Sequence, residues 1–297
     1  MIIEKTARQT LTAVEMDRGD ELHFTLADGT VRRITVQRTW ATLHETNLED
    51  LGQPQPRGHS VVRMHCELHI DGTSVSFVRW VGSQESFYQP YELFGLRIWF
   101  DAVSDLFDIL SETHGPCKPR KHIRLAIQDA SLRTCPELLH PWCPLPEGGL
   151  RIEDCYEACD CWMGPYFGAE AHGGLDINHP AGTPIWTPLA LDEQGLFNRV
   201  DAGDNNNRWR GIRRWPDGST WILQVHHLIR LRVAEDSALP AGVHLADGAG
   251  VRNGSREHSH FVFKVLEPGA AEGEERLLDP WILFWQMYQD RQATTAR

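Results

Sequence analysis

Two Asp-Gly pairs, Asp28-Gly29 and Asp71-Gly72, each stand between runs of alternating residues and commit the first hundred positions to antiparallel β-structure. Before the first pair, Glu21-Leu22-His23-Phe24-Thr25-Leu26 alternates polar with apolar; after it, Val31-Arg32-Arg33-Ile34-Thr35-Val36 does the same. Residues 61–70 and 74–80 repeat the pattern around Asp71-Gly72-Thr73. Successive side chains on a strand point to opposite faces, so such runs bury one face, and an Asp-Gly turn between them reads as a hairpin. A small antiparallel sandwich or barrel follows. Residues 100–110, FDAVSDLFDIL, place apolar side chains at helical spacing and predict a helix. A second helix is predicted over 280–291, PWILFWQMYQDR, after the Asp279-Pro280 start signal.

The 297 residues suffice for two modest domains with their own cores. The expected division is a β-rich domain over 1–114, a connecting region rich in Cys, Pro and Gly over 115–161, and a second domain over 162–297. A net charge of -12 argues against nucleic-acid binding, which needs clustered Lys and Arg to neutralise phosphates. No stretch reaches the ~18 consecutive apolar residues of a transmembrane segment. The first twenty residues, MIIEKTARQTLTAVEMDRGD, lack an apolar core and do not read as a signal peptide. The expectation is a cytosolic protein, or one whose signal has been removed. Of seven cysteines, Cys66 stands alone, while Cys117, Cys135, Cys143, Cys155, Cys159 and Cys161 crowd together. Disulfides, buried thiols and a second metal site all fit that cluster, and its spacings do not match paired CxxC units.

Three later segments carry the chemistry: Ala171-His172-Gly173-Gly174-Leu175-Asp176, Val225-His226-His227-Leu228, and His258-Ser259-His260-Phe261-Val262-Phe263. On a strand, residues i and i+2 share a face, so His258 and His260 project side by side. The two glycines between His172 and Asp176 favour a tight loop whose backbone approaches closely, letting both side chains reach one ion. Two imidazoles and a carboxylate leave one tetrahedral position open, the pattern of a catalytic rather than a closed structural zinc site. By the same alternation, His226 and His227 are expected to point to opposite faces. His226 and His179 are therefore read as structural.

HGGLDINHPAGTPIWTPLA resembles the metal-binding strand of the M23 peptidases, the LytM and lysostaphin-like family, with its HxGxD and the Gly-Thr-Pro turn that follows. HSHFVFKV resembles the HxH strand of that family, and VHHLIRLRV its histidine-leucine segment. The resemblance covers residues 162–285. It implies a C-terminal antiparallel β-sheet peptidase domain of the LytM type; with the N-terminal sandwich or barrel-like domain read from the alternation, the chain is expected to be mostly β. The resemblance also implies Zn2+ held by His172, Asp176 and His260, with His227 and His258 acting on the attacking water and Tyr166 as a candidate oxyanion donor. The implied activity is a zinc-dependent endopeptidase cutting peptide bonds, with a peptide or peptidoglycan substrate and an extracytoplasmic location. The alternatives are a catalytically silent binding module and a zinc peptidase acting on another protein. The oligomeric state is left open.

Departures from the family lie in Arg252-Asn253-Gly254-Ser255-Arg256-Glu257 before the HxH, in Ser259 where leucine is more frequent, and in Val262-Phe263 where an acidic residue often follows. None touches an implied ligand; all bear on groove shape. HExxH, G-x-S-x-G and G-x-x-x-x-G-K-[ST] are absent from the sequence. His65 and His69 share a strand face and read as a surface pair, and no thiol is marked as an activated nucleophile.

Overall fold

The fold is taken from a computed structural model that describes residues 1–47, 59–112, 117–158, 162, 165–166, 170–200, 206–248 and 257–295. The side chains of 111–112, 165–166, 170 and 294–295 lie outside that description. The protein is mostly β, with one α-helix among the described residues. It divides into two compact units, Met1–Pro136 with Cys159–Gly173, and Glu137–Ala158 with Gly174–Arg297.

In the first unit, five strands lie side by side in the order Ile2–Thr6, Glu21–Thr25, Val31–Thr46, Ser60–Ile70 and Thr73–Val81. Both expected hairpins form. Asp71 and Gly72 take φ of 50° and 82°, the paired left-handed conformation of a tight hairpin turn whose twist matches the strands. At the other turn, Asp28 Oδ1 accepts the Thr30 amide at 2.8 Å. Ile2–Thr6 pairs in parallel with Glu21–Thr25, the one pair of this sheet that is not antiparallel. Leu22, Phe24, Ile34, Val36, Met64, Leu68 and Ile70 point inward, each at 1% exposure or less.

A second sheet of the unit runs Thr12–Met16, Ile123–Asp129, Leu96–Val103, Tyr91–Leu93. The helix predicted over 100–110 is corrected here. The chain stays extended to Val103 and then makes a short 3-10 turn at Ser104–Asp108. Leu96–Val103 is sandwiched between two neighbours and buried on both faces, so the alternation that marks a strand is lost from its sequence.

The second unit is built on an antiparallel sheet in the order Leu175–Asn178, His258–Leu266, Thr220–Leu228, Asn207–Arg214, Glu193–Asn198, with Arg276–Leu278 also on His258–Leu266. Pro184–Trp186, His244–Asp247 and Arg230–Leu231 form a smaller sheet. Pro184–Trp186 begins with the proline of the Gly182-Thr183-Pro184 turn, where Gly182 has φ 82°. The expected C-terminal helix spans Trp281–Thr295, its first turn held by the Asp279 carboxylate accepting the Trp281 amide at 2.8 Å. Its Phe284 ring lies 5.3 Å from Phe261 and 6.0 Å from Trp142. Phe261 belongs to the HxH strand, so the helix packs beneath the histidines and fixes the strand that carries them.

Cys66, Cys117, Cys135, Cys143 and Cys155 are buried thiols; Cys159 and Cys161 lie outside the described residues. Burial pushes the thiols of Cys66 and Cys143 up, away from the thiolate that a nucleophile or ligand requires. Among the described residues no helix is long and apolar enough to cross a membrane.

Candidate metal centre

The geometry starts from strand register. Asp176 lies directly opposite His260, and His260 directly opposite His226, so the three stand in one row across adjacent strands. Asn178 opposes His258 one step along. Residues opposite one another in an antiparallel pair share a face, and so do His258 and His260, two apart. Asp176 Oδ1 is 2.7 Å from His260 Nδ1, and its other oxygen is 3.4 Å from His258 Nε2. His172, Asp176 and His260 are buried, and one ligand atom from each lies within 4.8 Å of the others.

Gly174 is the close approach that the double glycine foreshadowed. A Cβ there would stand 2.3 Å from His260 Cε1 and 2.6 Å from the Phe261 carbonyl. The carbonyl is backbone and cannot swing away. Gly174→Ala is expected to push His260 off Asp176 and weaken metal binding by at least ~10-fold. Isothermal titration of the metal-stripped protein with Zn2+ checks this, and unchanged affinity would show that the loop yields.

Alternation alone sends His226 and His227 to opposite faces. Here the structure corrects the expectation. Between Asn207–Leu228 and Trp209–Val225 the register shifts, so His226 and His227 together oppose Arg208 in a β-bulge. His227 takes φ 60°, a left-handed conformation uncommon for a residue with a Cβ. The bulge turns His227 back towards the site, its ring 4.6 Å from that of His258, while His226 stacks on His260 at 4.6 Å. Strain of this kind costs about 1–3 kcal/mol and concentrates at functional sites.

Ser259, between the two histidines, faces the other way and is fully buried. Its hydroxyl lies 3.0 Å from His179 Nε2, and a Cβ on Gly248 would come within 2.7 Å of it. There is no room for leucine. Ser259 is thus matched in size by His179 and Gly248.

Tyr156 is a neighbour that the sequence reading missed. Its ring lies 4.4 Å from that of His258. It sits in the Cys-rich stretch with no motif around it. Cys155 beside it bridges to Ile177, and its carbonyl accepts the Asn178 side-chain Nδ2–H at 2.7 Å. Glu157 and Ala158 follow with φ of 52° and 55°, a further strained pair next to the site. Tyr166 pairs with Glu170 in a two-residue strand, and its side chain lies outside the described residues. So do residues 252–256 of the segment before the HxH.

Burial holds His227 down at about 3, with His258 beside it adding to the effect, and holds His179 at about 4. His226 is likewise held well below its ordinary value by burial and by His260. All three imidazoles are therefore neutral near pH 7. In the unfolded chain each takes its proton near 6.5, so below that pH the unfolded state binds more protons than the folded one. Stability is complete above 6.5 and is lost as pH falls towards the folded values, about 4 for His179 and about 3 for His227. Thermal melts of the metal-free protein should show Tm falling between about pH 7 and pH 5, less steeply in His179→Asn. Equal slopes in the two proteins would contradict this.

The donor set fits a transition-metal ion. Nitrogen and carboxylate oxygen ligands converge in a buried pocket, with further imidazoles against them rather than apolar filler. A mostly β chain with a buried His-Asp-His cluster, flanked by two strand histidines, defines a candidate hydrolytic metal centre.

No family model matches the chain, and no curated protein sequence matches it. Among solved structures, it is similar to the antimicrobial peptidase lysostaphin from Staphylococcus simulans, with 19% identity, a TM-score of 0.31, and 40% of this chain and 45% of that one covered. It is similar to the catalytic domain of the prophage-encoded M23 protein EnpA from Enterococcus faecalis, with 15% identity, a TM-score of 0.29, and coverage of 37% and 77%. It is also similar to a zinc containing peptidase from Vibrio cholerae, with 10% identity, a TM-score of 0.28, and coverage of 93% and 85%. The chain spans about half the length of the lysostaphin chains it matches.

Proposed function

We propose that the chain is a zinc-dependent endopeptidase that hydrolyses peptide bonds in bacterial cell-wall peptidoglycan and works outside the cytoplasm. The observation that carries the reading is the convergence of His172, Asp176 and His260, with the His227 and His258 rings in contact beside them. His172, Asp176 and His260 would hold the ion. When bound, zinc polarises a peptide carbonyl and makes water a nucleophile near neutral pH.

The rest falls to the chain's own groups. His227 is neutral, and its buried Nδ1 has no hydrogen-bond partner among the described residues, so it is equipped to take a proton from the attacking water. His258 faces Asp176 through Nε2 at 3.4 Å, which sets the orientation of its ring. Its place against His227 suits it to pass the proton on to the leaving amine. Tyr156 packs its ring against His258 at 4.4 Å. Tyr166 is proposed as the donor to the developing oxyanion.

The test is hydrolysis of purified peptidoglycan and of defined stem and cross-bridge peptides by wild type and by His258→Ala. Release of new amino groups by wild type alone supports the enzyme. Release by neither would point to a module that binds a peptide without cutting it, and equal release by both would remove His258 from the chemistry.

A further inference from the structure

The motif resemblance assigns nothing to His226, and strand alternation sends it away from the site. The register instead places it in the same row as Asp176 and His260. Its ring stacks on His260 at 4.6 Å with 27° between planes, while the Phe197 ring meets it at 64° and 5.7 Å. His260 is thus held from two sides, by the Asp176 carboxylate at its edge and by the His226 ring on its face. The buried Nε2 of His226 has no hydrogen-bond partner among the described residues. What His226 does to its neighbour therefore runs through the flat of the ring rather than through a hydrogen bond.

We infer that His226 is a positioning residue for the metal centre, whose stacked ring fixes the plane of His260 beside Asp176, where the two would hold the ion. The bulge at His226-His227 serves both histidines at once. It keeps His226 in register opposite His260 and returns His227 to the same face, where straight pairing would lose one of them. A ligand imidazole that is free to rotate binds its ion more weakly, and groups that orient ligands are typically worth about 10- to 100-fold in metal affinity. An imidazole that ligates a cation also becomes electron-poor, and an aromatic face against it is favourable.

This inference rests on the proposed metal site, and its test separates the two. The full chain is stripped of metal and titrated with Zn2+ against a chromophoric chelator, and with Co2+ followed by its visible absorption. The variants are His226→Ala, His226→Phe, which keeps a ring without nitrogen, and His226→Gln, which keeps polar atoms without a ring. The expected result is a Zn2+ Kd raised about 10- to 100-fold in the Ala and Gln variants, with a changed Co2+ spectrum. The Phe variant should stay within about 3-fold of wild type with the wild-type spectrum. If His226→Ala fails to fold, the contrast between Phe and Gln decides. Wild-type affinity in Gln overturns the inference, and so does a Phe variant as weak as Gln, which would make His226 a ligand through nitrogen. A wild-type chain that takes up neither ion contradicts the metal reading itself.

Discussion

Replacing Asp176 with alanine is expected to remove the metal and the hydrolytic activity together. The carboxylate touches both histidines of the HxH strand, at 2.7 Å from His260 Nδ1 and 3.4 Å from His258 Nε2, and it is buried. It is the only anion of the His172–Asp176–His260 cluster. Without it, a dication would enter a buried site with no opposite charge beside it, which a buried ion does not tolerate. The loss in zinc affinity should exceed the ~100-fold seen when only a supporting group is removed. Asp176→Asn keeps the shape and one oxygen donor but loses the charge, and it should fall between the two. Metal content and peptide hydrolysis measured on the same preparations check the pair. Alanine protein that retains both zinc and turnover would remove Asp176 from the site.

The second large effect separates holding the ion from using it. His227→Ala and His258→Ala should each keep zinc, because neither belongs to the cluster of converging ligand atoms. Turnover should nevertheless fall by about 10²- to 10⁴-fold, the usual worth of a positioned general acid or base. KM should change little, since the lost group acts on the proton rather than on substrate binding. The double variant should be scarcely worse than either single one, because the two rings work as a unit at 4.6 Å. Losses that multiply would mean that the histidines act in separate steps. Loss of zinc from either single variant would make that residue a ligand.

Much of this was legible in residue order. The hairpins at Asp28-Gly29 and Asp71-Gly72 follow from period-two alternation around residues that accept left-handed turns, and the final helix from its Asp279-Pro280 start. HxH on a strand puts two histidines on one face whatever surrounds it. What alternation could not reveal was the bulge. One extra residue shifts every later side chain to the other face, and nothing in Val225-His226-His227-Leu228 announces that His227 accepts φ 60°. The strand at Leu96–Val103 was hidden for the opposite reason: burial on both faces erased its pattern. Tyr156 came from a stretch with no periodicity, brought to His258 by the bridge between Cys155 and Ile177. Local pattern does not record contacts of that kind.

The most direct measurement is the metal content of the purified full chain, before and after stripping and reloading, beside the Asp176→Ala protein. About one zinc per wild-type chain is expected, recovered on reloading, and less than about a tenth of that in the variant. A wild-type protein that holds no metal and takes up none would contradict it.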